Sequence, residues 1–294
     1  MSTPHLAPRS VHAVSPAAQV TDGEGVSIHR AFPGPRITEL DPFLLLDHLG
    51  PVDLKPGEAK GFPDHPHRGF ETVTYMLEGE FQHRDSFGHA GTIGPGDVQW
   101  MTAGSGLVHS ETPGENLKKN GGRLQGFQLW VNLPKRDKMT PPHYQELPAA
   151  NIPVAHSGDG TVEARVIAGE AFGVKGAVET HIPIQYVHFK LKPGAKVTHT
   201  VPRNLNAMIY VISGSIEAGG KAIPQFNLVW LANDSDIVEF SASSDSPAEV
   251  LLLAAEPIKE PVARYGPFVM NTRQELEQAF TDYQAGRMGT IAVQ

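Results

Sequence analysis

Two short segments hold the side chains best suited to transition-metal chemistry. Asp64-His65-Pro66-His67 places two imidazoles two residues apart, and Val108-His109-Ser110-Glu111 repeats that spacing with an imidazole and a carboxylate. In an extended chain, residues i and i+2 leave the same face. Two such strands facing each other inside a barrel would bring three nitrogens and one oxygen to a point. Pro66 cannot donate to a strand ladder, so its segment belongs at a strand end or edge, near a barrel mouth. Neutral imidazoles and a carboxylate suit Fe, Mn, Co, Ni, Cu or Zn, and ligand type alone does not choose among them. One ion with four protein ligands keeps octahedral positions open for water, substrate or dioxygen, whereas a structural zinc site is closed. The other histidines lack this spacing. His83, His89, His143 and His156 read as exposed singletons, and His181, His188 and His199 fall in the second half, where no partner spacing exists.

The elements that must position these groups are short strands. Thr72–Leu77, Asp97–Thr102, Gly126–Leu133, Ile184–Leu191, Ala207–Ile212, Asn227–Ala232 and Val250–Ala255 are β-branched or alternating, with Gly/Pro turns between them. Evenly spaced strands of this kind predict an all-β barrel or sandwich architecture. The chain also repeats itself: Tyr75-Met76-Leu77-Glu78-Gly79 is echoed by Tyr210-Val211-Ile212-Ser213-Gly214, an offset of 135. Asp97–Met101 is matched by Asn227–Leu231. Two tandem units follow, 1–140 and 141–294, with a Pro-rich boundary near 141–155 that shows no strand pattern. One long pattern differs. Leu276, Ala279, Phe280 and Tyr283 follow a helical period, Thr272 with Glu275 forms a capping box, and Gly286 supplies a stop.

Composition excludes several functions. The 294 residues carry a net charge of −8 and no Lys/Arg-rich run, which argues against a phosphate-binding surface and direct nucleic-acid binding. The chain has no cysteine, so thiolate ligands, disulfides and a Cys nucleophile are ruled out. No apolar run is long enough to cross a bilayer and no signal-peptide pattern is present, so a soluble, cytoplasmic protein is expected.

The runs FPDHPHRGFETVTYMLEG (62–79), GPGDVQWMTAGSGLVHSE (94–111), FQLWVNLP (127–134) and GPFVMNTRQELEQA (266–279) resemble the pirin family. That resemblance implies two tandem cupin jelly-roll barrels and a short C-terminal helix that returns to pack on the first domain. It implies one metal ion per chain, iron foremost, carried by His65, His67, His109 and Glu111 in the first barrel. The second barrel is expected to lack metal. The offset pairs Thr200 and Pro202 with His65 and His67, and the neighbouring strand match pairs Glu239 and Ser241 with His109 and Glu111. The chain departs from the broad cupin pattern, with Thr72 and Gln99 where a Glu and a His ligand usually stand. Glu71 lies one residue off register and reads as a salt-bridging or surface carboxylate.

The resemblance further implies quercetin 2,3-dioxygenase activity on flavonols, consuming O2 and releasing CO, with Glu111 taking the 3-hydroxyl proton. The alternative it implies is a metal-dependent regulator that binds a partner protein, a transcription factor or a metabolic enzyme, without turnover. Arg68 is a candidate to bond a ligand or the substrate. Phe62, Phe70 and Trp100 are candidates to line an aromatic slot, and Gln125 and Gln128 to support the ligands.

Overall fold

A computed structural model describes residues 7–292. Strands dominate, and they fall into two sets with one plan. In the first, a seven-stranded antiparallel sheet runs in the order His143–Leu147, Val98–Thr102, Phe70–Glu78, Gly122–Asn132, Phe43–Leu54, Val26–Phe32, Ala18–Asp22. A four-stranded sheet, in the order Phe62–His67, Leu107–Pro113, Phe81–Asp85, Ala90–Ile93, accompanies it. The second set repeats both. Its large sheet runs Val11–Pro16, Asn227–Leu231, Asn206–Ser213, Ala248–Ala255, Ile184–Leu191, Val162–Ala168, Val154–His156. Its small sheet runs Lys196–Thr200, Ile237–Ala242, Ser215–Ala218, Lys221–Pro224.

The repeat is complete strand for strand, and two of its seats are filled from unexpected places. Val11–Pro16, at the N-terminus, pairs with Asn227–Leu231 in the second set. In the first set the matching seat beside Val98–Thr102 is taken by His143–Leu147. The compact units therefore interleave along the chain. One comprises Ala18–Arg30, Pro42–Ala149 and the stretch from Ile258 on; the other comprises the chain up to Ala17, Ala31–Asp41 and Ala150–Pro257. A single cut between residues 140 and 141 does not describe this. The Pro-rich boundary also holds two strands, because His143–Leu147 and Val154–His156 are short edge strands without strong alternation.

In the second unit the inward residues form one continuous apolar core, including Val187, Phe189, Val197, Ile209, Val229, Phe240 and Leu252. In the first, one apolar cluster gathers around Leu49, Met76, Phe81 and Leu124, and Thr72, Thr74, Gln99, His109 and Glu111 are buried polar residues of the same unit. The helix Arg273–Gln284 begins as its capping box requires. Thr272 accepts from the Glu275 backbone at 3.2 Å, and the Glu275 carboxylate accepts from the Thr272 backbone at 2.9 Å. Its buried Ala279, with Leu276 and Phe280, packs against Val108, Phe268 and Met288. No described helix is long and apolar enough to cross a membrane.

Candidate metal centre

His65 and His67 lie on the edge strand Phe62–His67, and His109 and Glu111 lie on its neighbour Leu107–Pro113. His65 faces His109 and His67 faces Leu107, but Glu111 faces Phe62, so the edge strand carries one extra residue there. The extra residue falls at Pro63-Asp64, where a missing N–H already prevents regular pairing. The three imidazoles converge, with ring centroids 4.3 Å (His65–His109), 4.7 Å (His65–His67) and 4.9 Å (His67–His109) apart. One ligand nitrogen from each lies within 4.8 Å of the others.

Protonation follows from the surroundings. His65 Nδ1 sits 2.7 Å from the Pro63 carbonyl, which must accept from an N–H, so in the neutral ring the lone pair is on Nε2. His67 and His109 are 2% and 1% exposed, and neither ring nitrogen of either has a hydrogen-bond partner. Burial first, and the adjacent imidazoles second, hold both rings far below the usual histidine range, so they are neutral. Buried, unpaired polar atoms are costly. Three imidazoles turned on one point, His67 and His109 among them neutral, have the ligand chemistry of a transition-metal site.

The structure holds Glu111 apart from that group. Its carboxylate is 2% exposed and accepts from Thr74 Oγ1 at 2.9 Å and from Gln128 Nε2 at 3.0 and 3.2 Å. Gln128 Oε1 accepts from Trp130 Nε1 at 3.1 Å, which fixes the amide orientation. Trp130 continues the wall: its ring lies 5.2 Å from His67 and 4.6 Å from Phe70. A cavity of about 530 Å³ opens in front of His65 and His67, lined also by Phe62, Gln128 and Trp130. At its rim Arg30 bridges Asp47 (2.7 Å) and Asp22 (3.1 Å), and the Arg264 guanidinium lies 5.0 Å over the Trp130 ring.

Several supporting residues differ from their sequence reading. Arg68 is buried and turns from the cavity to the helix, donating to the Ser105 carbonyl and to Asp282, each at 2.7 Å. Glu71 is no surface group; it is 1% exposed and accepts from Thr102 Oγ1 at 2.7 Å. His83 is buried opposite Glu111 and pairs with Glu146 at 3.0 Å, while His89, His143 and His156 are exposed as expected. Phe62 lines the cavity, but Phe70 and Trp100 are fully buried and do not. Gln128 supports Glu111, while Gln125 bonds to His48 at 2.9 Å. Sequence reasoning missed Trp130, although Gln128 and Trp130 alternate onto one face of the same strand. It also missed Arg30, Asp47 and Arg264, which come from distant segments.

The second barrel shows the same positions without a metal set. Phe81 and Ile216 each stand two residues past a glycine turn, facing Pro113 and Ala242. Along the facing strands, Glu111 then corresponds to Phe240 and His109 to Val238. His65 faces His109 as His199 faces Val238, so His199 is the counterpart of His65, and Val201 that of His67. The linear offset is one residue out, enough to reverse the face. Thr74 and Gln128 become Ile209 and Leu252 by the same register. The set is lost, yet one imidazole survives.

Fold and site define a bicupin, two cupin barrels in tandem with an imidazole cluster in the first. Residues 25–131 match the pirin family and 186–289 its C-terminal cupin domain. The chain belongs to the pirin family. It is 43% identical to a pirin-like protein of Solanum lycopersicum over 292 residues, 98% of this chain and 96% of that one. It is 42% identical to pirin of Homo sapiens, across 92% of this chain and 90% of that one. A quercetin 2,3-dioxygenase of Acinetobacter baumannii superposes with a TM-score of 0.90 at 38% identity, covering 97% of this chain and 100% of that one.

Proposed function

We propose that this protein is a metal-dependent dioxygenase that opens the heterocycle of flavonols, of the quercetin 2,3-dioxygenase type. The observation that carries the reading is the group of three imidazoles, two of which line a cavity with an indole wall. His65, His67 and His109 would hold one transition-metal ion, iron foremost, with Glu111 as the fourth ligand. When bound, the ion supplies a Lewis-acidic centre at which a deprotonated flavonol and dioxygen can meet. The likeness to the Acinetobacter enzyme across nearly the whole chain supports the same reading.

The chain's own groups have defined tasks. Glu111 accepts the proton of the flavonol 3-hydroxyl at a carboxylate oxygen, while Thr74 and Gln128 hold it against the barrel wall. Trp130 and Phe62 offer flat apolar surface to the substrate rings. Enclosure in a barrel mouth limits water around the reacting atoms.

Aerobic incubation of metal-loaded protein with quercetin tests the proposal. Loss of the flavonol's near-UV/visible band with matching release of carbon monoxide is expected. Quercetin left intact by protein carrying a full complement of iron would overturn it.

A further inference from the structure

The metal-free barrel keeps a cavity where the other barrel has its site. About 440 Å³ of space opens there, lined among others by Glu170, Phe172, Gln185, Thr198, His199 and Thr200. His199, the counterpart of His65, is 7% exposed, and its ring packs against Phe189 at 5.7 Å on the barrel floor. Its Nε2 lies 2.8 Å from Gln185 Oε1. Gln185 Nε2 donates to the Thr200 carbonyl at 3.3 Å, so the amide oxygen is the end turned to His199. The imidazole N–H is therefore at Nε2. Nδ1 is left as an acceptor with no partner among the described residues.

A second, independent feature lies at the same mouth. Glu170–Ala171 and Val174–Lys175 form a tight hairpin whose two turn residues are Phe172 and Gly173, at φ 49° and 78°. A turn with both central residues in the left-handed region favours Asn, Asp or Gly, and an aromatic residue there is strained. Phe172 nonetheless occupies it, lining the cavity with its ring edge-on to Phe189 at 6.0 Å. No Lys or Arg lines the space and Glu170 does, so anions are disfavoured.

The geometry points to a second ligand site in the metal-free barrel, taking a small neutral molecule with an aromatic ring and a hydroxyl. The hydroxyl donates to His199 Nδ1 and the ring is covered by Phe172. Burial holds His199 at a pKa of about 4, so the acceptor is available at neutral pH. The site needs no metal and is independent of flavonol turnover.

Phenol and toluene are suitable probes, titrated into the full-length protein after chelator treatment and read by saturation-transfer NMR. Phenol should bind, and His199→Leu should weaken it about tenfold, the value of one good hydrogen bond. Toluene should be indifferent to that change. Phe172→Gly guards against a folding artefact: it should weaken phenol while raising the thermal midpoint, because the strain is removed. His67→Ala should leave phenol binding intact. Phenol binding unchanged in His199→Leu, or lost in His67→Ala, would overturn the assignment.

Discussion

The imidazole cluster holds histidines that burial denies a proton, and that property extends across the molecule. His48, stacked on Phe127 at 4.4 Å, is held by burial at a pKa of about 3, and His199 at about 4. In the unfolded chain both titrate near 6.5, so below that value the unfolded state binds more protons. Stability is therefore fully present above pH 6.5 and is lost as the pH falls towards 4. Each such histidine contributes a slope of about 1.4 kcal/mol per pH unit inside its window. Urea midpoints of the metal-free protein should fall steadily between pH 6.5 and 5, and His48→Gln should flatten the slope. Glu111 makes a different prediction. Glu111→Gln keeps an oxygen and removes the base, so metal content should stay close to wild type. Turnover should fall by roughly 10²-fold or more. Elemental analysis beside the flavonol assay separates the two, and equal turnover would show that Glu111 only ligates. The histidine spacing was readable in the sequence because i, i+2 pairs declare a shared face. Glu71 and His83 were misread because a single polar residue does not reveal which partner will bury it.

At the scale of elements, the helix Arg273–Gln284 reaches the strand that carries His65 and His67 from more than a hundred residues away in sequence. Asp282 takes Arg68 at 2.7 Å, and Arg68 directly follows His67. The backbone beside them is tied twice, Arg68 N to the Pro267 carbonyl at 3.3 Å and Val269 N to the Arg68 carbonyl at 3.0 Å. Gly69 adopts φ 86° there, and a Cβ would collide with the Val269 carbonyl. Lys138 completes the fastening, fully buried, with Nζ donating to Gly69, Val269 and Asn132 at 2.8, 2.9 and 2.6 Å. Lys138→Met would leave those acceptors buried and unpaired, a loss of about 2–4 kcal/mol measurable by denaturant unfolding. Removing residues 271–294 should lower the metal-dependent thermal transition, although no proposed ligand is deleted. An unmoved transition would show that the helix merely covers surface. The helix and its cap were legible because period and capping chemistry are local. Its ion pair to Arg68 was not, since nothing near either residue names the other.

For the whole molecule, the repeat was visible from matched turns and strands, but its seating was not. A linear offset of 135 reads the barrels as two consecutive stretches, 1–140 and 141–294, whereas the strand beside Asn227–Leu231 comes from the opposite end of the sequence. Edge strands of five or six residues carry little pattern of their own, so their partners are set by the sheet they complete. Arg9 shows how strongly this one is held. It is 3% exposed, and its guanidinium donates to the carbonyls of Ser235 (2.9 Å), Leu205 (2.9 Å), Val201 (3.1 Å) and Pro202 (2.7 Å). Arg9→Met would strip these donors from buried acceptors and should destabilise the second barrel by about 3 kcal/mol. Removing residues 1–17 goes further, exposing the edge of Asn227–Leu231 as an open strand and promoting association. The imidazole cluster lies in the other unit, so both variants should still bind one metal ion per chain. Elemental analysis and calorimetry together decide the matter. Loss of metal in step with the second barrel's unfolding would mean that the two units share one stability, and that the first barrel's site depends on a strand it does not contain.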